Sequence, residues 1–192
     1  KKICDYWWYR HIFIDVKEIT GKINIDVIFN YKINNKNKKC YIHNYLLCTN
    51  KKLSTYISKF KYPNDDTVDY GDLHYHTNLT EDMVEFGAPI DTSLYMAEAM
   101  GLDFFCTTDH SYDLDDKIGS WTETDPKLEK WHNSRKLIKS LNNDNNFKSY
   151  ILPSEELSLH NTKNQNIHAL IINNSKFLPG AGDGAEKPFV FK

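Results

Sequence analysis

The chain of 192 residues carries 24 lysines and arginines against 26 aspartates and glutamates, which gives a formal net charge of −2. This balance does not support a nucleic-acid or membrane surface as the partner. Cys4, Cys40, Cys48 and Cys106 form no CxxC pair or dense framework, and no apolar run reaches membrane-spanning length. These features predict a cytoplasmic protein with reduced thiols.

Residues 1–68 are predicted to form a small β-rich region. Apolar and polar side chains alternate over residues 12–16 and again over 23–27, and this period of two is typical of half-buried strands. A polar run at 34–39 separates them from a further short strand at 40–42. The spacing predicts a small antiparallel sheet or sandwich with a structural or docking role.

A polar stretch with one proline, residues 62–66, is the predicted linker, and we place the domain boundary between residues 68 and 69. From residue 69 to 192, short apolar runs alternate with helical patterns, which is typical of β/α units around a parallel sheet. The predicted strands lie around Leu73 and at residues 104–106, 150–152 and 169–172.

Two helices are predicted between these strands. The first spans residues 92–100, with Asp91 as its N-cap and Gly101 at its C-terminal end. The second follows Asp125, which is its predicted N-cap, and its apolar residues recur at helical spacing to about residue 141.

The first strand of the second region carries groups suited to binding a metal ion. Asp72, His74 and His76 alternate along it, so they are expected to project to one face, with Asp72 supporting the imidazoles. Two imidazoles at alternate strand positions can chelate one ion without help from a loop. A lone His-x-His pair is a weak signal that further ligands would strengthen.

Acids and histidines also lie next to the later strands. Glu81 and Asp82 are either hard oxygen ligands or a solvated acidic turn, and Asp109 either orients an imidazole or caps a loop. Further potential ligands are His110 after the second strand, Glu155 and Glu156 after the third, and His168 before the fourth.

Four segments in this order resemble the successive motifs of the PHP family, named for polymerase and histidinol phosphatase. They read DLHYHTNLTED from residue 72, FFCTTDHS from 104, LPSEELS from 152 and NIHALII from 166. The resemblance covers about residues 69–173. It implies a distorted (β/α)7 TIM-like barrel, present here in part, whose carboxyl end holds two or three divalent ions of zinc, manganese or iron.

The resemblance also implies a set of metal ligands. They are His74, His76, Glu81, His110, Glu156 and His168. His74 and His76 would hold the first ion, and Glu156 would bridge it to a second ion that also takes His168. The remaining two ligands would belong to a third ion.

The chain departs from the family pattern in three places. Glu81 stands where the family usually has aspartate, so Asp82 is an alternative ligand, although Glu81 is preferred. A serine precedes the bridging glutamate in place of a glycine, which leaves Glu155 as an alternative to Glu156. The later histidine and terminal Asp-x-His motif have no counterpart before Lys192, so the domain is expected to be truncated and each ion to lack one ligand.

The activity implied by the resemblance is that of a phosphoesterase, which hydrolyses a phosphate mono- or diester through a metal-activated hydroxide. Its substrate would be a small phosphorylated compound or a nucleotide, with Lys163 or Arg135 as candidate phosphate contacts, although Arg135 is expected to face solvent. One alternative is another metal-dependent hydrolase that cleaves a carbon–nitrogen bond. The other is a degenerate, non-catalytic scaffold module, which the missing motifs favour.

Overall fold

The computed structural model describes residues 12–41, 52–60, 67–81, 85, 87–120, 123–163 and 165–180. The chain divides into two compact units, residues 1–63 and 64–192, and each is described by itself. The predicted linker 62–66, together with Cys4, Cys48 and Asp82, lies outside the described residues. The predicted domain boundary after residue 68 stays a prediction.

Two antiparallel strand pairs form the described part of the first unit. Strand β1 (Gly21–Ile25) pairs with β4 (Leu53–Ile57), and β2 (Ile28–Ile33) pairs with β3 (Lys36–Tyr41). The two pairs are separate two-stranded sheets. They replace the single small sheet or sandwich that was expected for this region.

A two-residue turn joins β2 to β3. Asn34 and Asn35 both have positive φ, 48° and 61°, as a type I′ hairpin turn requires, and asparagine tolerates this conformation. Strand β3 therefore begins at Lys36, inside the polar run that was expected to separate two strands.

The alternating stretch at residues 12–16 does not form the predicted strand. The side chains of Ile12 and Phe13 are exposed by 74% and 72%. Alternation stabilises a strand only when a neighbouring strand supplies hydrogen bonds and a buried face, and no described strand pairs with this stretch.

The second unit begins with three parallel strands. They are β5 (Gly71–Tyr75), β6 (Phe104–Thr107) and β7 (Tyr150–Pro153), in the order β5-β6-β7. Strand β5 contains a β-bulge. Asp72 lies opposite Phe105 and Tyr75 lies opposite Thr107, so three steps along β5 match only two steps along β6. The bulge shifts the alternation of side chains within β5.

Three helices follow from local signals. Helix α1 (Ile90–Met100) ends at Gly101, which adopts the left-handed conformation at φ 72°, as predicted for this C-cap. A single turn, α2 (Ser111–Leu114), comes after β6, and α3 (Glu129–Asn142) precedes β7. None of the helices that the structure describes is long and apolar enough to cross a membrane.

Helix α3 begins later than Asp125 predicts. The Asp125 carboxylate accepts hydrogen bonds from the backbone N–H groups of Lys127 and Glu129, at 3.0 and 2.8 Å. Leu128 between them has a left-handed conformation at φ 53°, so the regular helix starts only at Glu129. Asp125 therefore caps the turn that leads into the helix.

The hydrophobic core lies where α1 and α3 pack on the parallel strands. Its buried members are Ile90, Leu94, Ala97, Phe105, Ile138 and Ile151. This core fixes the positions of the strands whose ends carry the candidate ligands.

We expect Leu94→Ala to lower the free energy of unfolding by about 2–5 kcal/mol, because Leu94 is fully buried and its removal leaves a cavity. Urea unfolding monitored by circular dichroism measures this loss. The matched control is Leu137→Ala on α3, where the side chain is 41% exposed and the expected loss is much smaller. Equal losses for the two variants would contradict this position for the core.

The expected (β/α)7 TIM-like barrel is wrong for this chain: no barrel closes among the strands that the structure describes. Strand β9 (Asn166–Ile171), which was expected to extend the parallel sheet, pairs antiparallel with β8 (Glu155–His160). Only residues 161–165 connect the two strands, whereas a parallel crossover needs about a dozen residues. The short connection therefore forces a hairpin.

Candidate metal centre

Two imidazoles and one carboxylate meet at the end of β5. The Nε2 atoms of His74 and His76 lie 3.0 Å apart. One oxygen of Glu156, Oε2, lies 3.1 Å from the nitrogen of His74 and 2.9 Å from that of His76. The three donor atoms therefore form a nearly equilateral triangle.

The other oxygen of Glu156 faces a different histidine. Oε1 lies 2.5 Å from His168 Nδ1, and Oε2 is 3.5 Å from His110 Nε2. The β8–β9 register explains the first contact, because His168 lies opposite Ser158, two residues from Glu156, and diagonal neighbours share a sheet face. Glu156 thus stands between two sets of imidazoles.

Asp109 and Thr80 orient the His76 ring. The Thr80 hydroxyl donates to Asp109 Oδ1 at 3.0 Å, and its oxygen lies 3.1 Å from His76 Nδ1. A hydroxyl that donates its hydrogen to a carboxylate can only accept from the ring, so His76 carries its proton on Nδ1. The lone pair of Nε2 then points at His74 and Glu156.

A carboxylate orients His110 in the same way. Asp113 Oδ2 lies 3.2 Å from His110 Nδ1, and an ionised carboxylate only accepts, so the ring proton sits on Nδ1. Burial alone would lower the pKa of His110, but Asp113 and Glu156 raise it, and the Nε2 atom of the ring faces Glu156. Carboxylate–imidazole pairs of this kind are the usual support of metal-binding histidines.

Charge and burial act on the titration of the cluster. Burial, helped by the neighbouring His110, lowers the pKa of His76, which keeps that ring neutral and able to bind a cation. Burial alone would raise the pKa of Glu156, but hydrogen bonds from His74 and His168 outweigh it and lower that pKa. The carboxylate is therefore ionised where the imidazoles meet.

Glu155 and Glu156, the two alternatives for the bridging acid, point in opposite directions. The Glu155 side chain is fully buried and accepts hydrogen bonds from the Trp131 indole at 2.7 Å and the Arg135 guanidinium at 3.1 Å. Asn174 also donates to it. Glu155 therefore belongs to the packing of α3, and only Glu156 joins the histidines.

The place of Arg135 on an amphipathic helix suggested that its side chain faces solvent, but the structure shows that it does not. Its side chain is 16% exposed, and Nη2 donates to Ser154 O, Glu155 and Asn174. Lys163, the other candidate for a substrate phosphate, is exposed on the turn between β8 and β9. Neither arrangement marks a phosphate-binding residue.

Glu81 lies apart from the histidines. Its Oε2 is 3.2 Å from the ammonium group of Lys130, whose side chain is only 4% exposed. The carboxylate near His110 is instead Glu85, with Oε2 3.2 Å from Nε2. Glu85 lies in the same acidic segment of the sequence as Glu81, but no pattern in the sequence singles it out.

Strict alternation predicts that Asp72 shares one strand face with His74 and His76, but the structure places Asp72 on another face. It lines a small cavity of about 130 Å³ against α1, together with Tyr75 and Met96. The bulge in β5 accounts for this, because the extra residue puts positions 72 and 75 on one side. Asp72 still supports His74 through its backbone, since Oδ1 accepts from the His74 N–H at 3.0 Å.

The donor atoms suit a divalent metal ion. Ligands held at right angles about 2.0–2.2 Å from an ion lie about 2.8–3.1 Å from one another, as the three atoms of His74, His76 and Glu156 do. The Nε2 lone pair of His76 and the Glu156 oxygen repel one another at such a distance unless a cation or a proton lies between them. The residues therefore fit the metal that the motifs imply.

Comparison with known proteins gives no match to a family model, to a curated protein or to a solved structure. The resemblance to the PHP family thus rests on the four motifs alone and stays a prediction. The metal ligands stay predictions as well, although the structure brings five of the six together and separates only Glu81 from them.

We expect Thr80→Val to weaken Mn²⁺ binding by about 10–100-fold, because His76 loses the group that fixes its Nδ1 proton. Isothermal titration calorimetry measures the change. The control is Thr77→Val. It also removes a hydroxyl that donates to Asp109, but Thr77 makes no described contact with His76. Equal weakening in both variants would show that the Thr80 contact does not orient the ring.

Proposed function

We propose that this chain is a metal-dependent phosphoesterase that hydrolyses a phosphate mono- or diester of a small substrate or nucleotide. The observation that carries the proposal is the position of Glu156, with His74 and His76 at one oxygen and His168 at the other. A carboxylate so placed can be shared by two cations. Paired cations are common in enzymes that cleave phosphate esters.

The order of the four motifs supports the choice of a phosphate ester. A divalent ion at this site would polarise a phosphoryl oxygen and lower the pKa of a bound water. The protein's own residues would hold and orient such an ion. Glu156 would supply a carboxylate, while Thr80 and Asp113 fix the orientation of the His76 and His110 rings.

The exposure of the cluster is graded, which suits access by a substrate. The Glu156 side chain is 3% exposed, whereas that of His74 is 50% exposed and that of His168 is 36% exposed. The shared carboxylate is thus removed from water and two of its imidazole neighbours border on solvent. A phosphate group could approach from that side without displacing the core.

The test combines metal analysis with a substrate panel. The purified chain, loaded with Mn²⁺ or Zn²⁺, is assayed on an aryl phosphate monoester, a phosphodiester and an aryl amide. We expect bound metal and hydrolysis of a phosphate ester, which releases inorganic phosphate from the monoester or the alcohol from the diester. The variant His74→Ala should lose both, whereas His160→Ala, which removes an exposed imidazole beyond the cluster on β8, should retain them.

Each other outcome rejects the proposal in a different way. Metal binding with turnover of the amide alone would indicate a carbon–nitrogen hydrolase. Metal binding with no turnover of any substrate would reject the phosphoesterase activity while leaving the centre in place. Absence of both would favour a scaffold module.

A further inference from the structure

We infer that Glu85, and not Glu81, supplies a carboxylate to a second cation position, which it forms with His110, Glu156 and His168. The inference rests on the proposed metal-dependent function and extends it by naming a ligand outside the four motifs. It also limits the cluster to two cations among the described residues.

Glu81 already has a cation partner. The Lys130 ammonium lies 3.2 Å from Glu81 Oε2, and the lysine side chain is 4% exposed. A buried ammonium group without a counter-charge is strongly unfavourable, so a metal ion that drew Glu81 away would leave Lys130 destabilised. The pair instead holds the segment after β5 against α3.

Glu85 adds a second carboxylate to the surroundings of His110. Its Oε2 lies 3.2 Å from His110 Nε2, while Glu156 Oε2 lies 3.5 Å from the same nitrogen. Because Asp113 lies at Nδ1, the Nε2 atom is the ring nitrogen of His110 that faces the two carboxylates. One imidazole nitrogen between two carboxylate oxygens is a donor set for a divalent ion.

His76 has one lone pair available for a cation, which limits the number of ions that it can bind. His76 lies near Glu85 and His110, and these three residues could by distance form a site of their own. However, Nδ1 of His76 is bonded to Thr80, and Nε2 is already within 3.0 Å of His74 and Glu156. A single lone pair binds one ion, so His76 does not serve the second position. Glu156, which groups with His110 and His168, completes that position instead.

The carboxylate that belongs to the second position alone is exposed. The Glu85 side chain is 52% exposed, whereas that of Glu156, which both positions share, is 3% exposed. Exposure weakens the attraction between a carboxylate and a cation because water screens it. We therefore expect two Mn²⁺ ions to bind with different affinities, the weaker one requiring Glu85.

The test measures Mn²⁺ stoichiometry by equilibrium dialysis and calorimetry, without reference to activity. The wild-type chain should bind two ions, and Glu85→Gln should bind one, with the second weakened by more than the roughly 100-fold loss of a supporting residue. The matched control, Glu81→Gln combined with Lys130→Met, removes both charges of the buried pair and should still bind two.

The outcomes separate this inference from the proposed function. Two ions in Glu85→Gln, or one ion in the Glu81/Lys130 double variant, would overturn the assignment of Glu85 while leaving a metal-dependent enzyme intact. One or three ions in the wild type would also overturn the two-cation count. Absence of metal from the wild-type chain would reject both proposals. A thermal melt of each variant confirms that the loss of an ion is not loss of the fold.

Discussion

Glu156→Gln should abolish metal binding and phosphoesterase activity together. The substitution keeps the size of the side chain but removes the charge that stands between His74, His76 and His168. Since both cation positions share this carboxylate, both lose a ligand at once. We expect Mn²⁺ affinity to fall by more than about 100-fold, beyond the loss of a supporting residue, and turnover to fall by at least as much.

Calorimetric titration with Mn²⁺ and assay of the phosphate ester measure the two effects. The control is Glu155→Gln, an identical change at the neighbouring position, which has no contact with the histidines among the described residues. It should leave metal stoichiometry unchanged. If Glu156→Gln bound Mn²⁺ as tightly as the wild type, the centre proposed here would not exist.

Glu155→Ala should be the most destabilising single change of those considered, with a loss of about 3–5 kcal/mol in the free energy of unfolding. Glu155 is fully buried, and its removal leaves the largely buried Arg135 without its carboxylate. The Trp131 indole N–H also loses its acceptor, and the backbone N–H of Leu178 loses a contact of 3.2 Å. Buried donors without partners account for this large cost.

Urea unfolding of Glu155→Ala measures the loss. A compensated pair, Glu155→Leu with Arg135→Met, should recover much of it, because removing both charges avoids a buried unpaired one. A loss below about 1 kcal/mol for Glu155→Ala would contradict the structural role of this residue, since such values are typical of exposed ion pairs.

The stability of the fold should also depend on pH through the carboxyl group of Glu98. Burial alone would raise the pKa of Glu98, but hydrogen bonds from the backbone N–H groups of Ser149 and Lys148 lower it. A carboxylate with a lowered pKa stabilises the fold above its unfolded value of about 4 and loses that contribution as the pH falls through the folded pKa. Glu98→Gln should therefore reduce stability at neutral pH and converge with the wild type in acid.

Local patterns predicted the short strands of the second unit well. The apolar runs at 104–106 and 150–152 became β6 and β7, and Gly101 ended α1 where expected. These elements depend on neighbouring residues and on a buried position in the sheet. The stretch at 12–16 shows the same alternation without a strand, because pairing depends on a partner elsewhere in the chain.

The direction of strand pairing could not be read from such patterns. Strand β9 has the apolar composition of a parallel strand, but a connection of five residues joins it to β8 and forces an antiparallel pair. Strand β8 itself was not predicted, since its acids were expected to form a loop at the end of β7. The length of the connection was the missing signal.

The sequence predicted those site residues that come together through their spacing within one strand. It did not predict a residue that a loop brings to the site. His74 and His76 meet because they are two residues apart at the end of β5. Glu85 lies near the site where the chain on either side of it is joined by hydrogen bonds from Asn78 N to Ala88 O and from Gly87 N to Thr77 O. A Cβ on Gly87 would lie 1.8 Å from the His76 carbonyl, and this close approach is a tertiary feature.

Because Glu155 and Glu156 point in opposite directions, the candidate metal centre depends on the register of the β8–β9 hairpin. Successive residues of β8 face opposite sides, so one extra residue in that strand would turn Glu156 toward Arg135 and Glu155 toward the histidines. The same shift would move His168 away from its diagonal neighbour. Natural variants of this protein should therefore tolerate length changes in the turn at 161–165 but not within residues 155–160, and insertion scanning would reveal that boundary as an abrupt loss of metal.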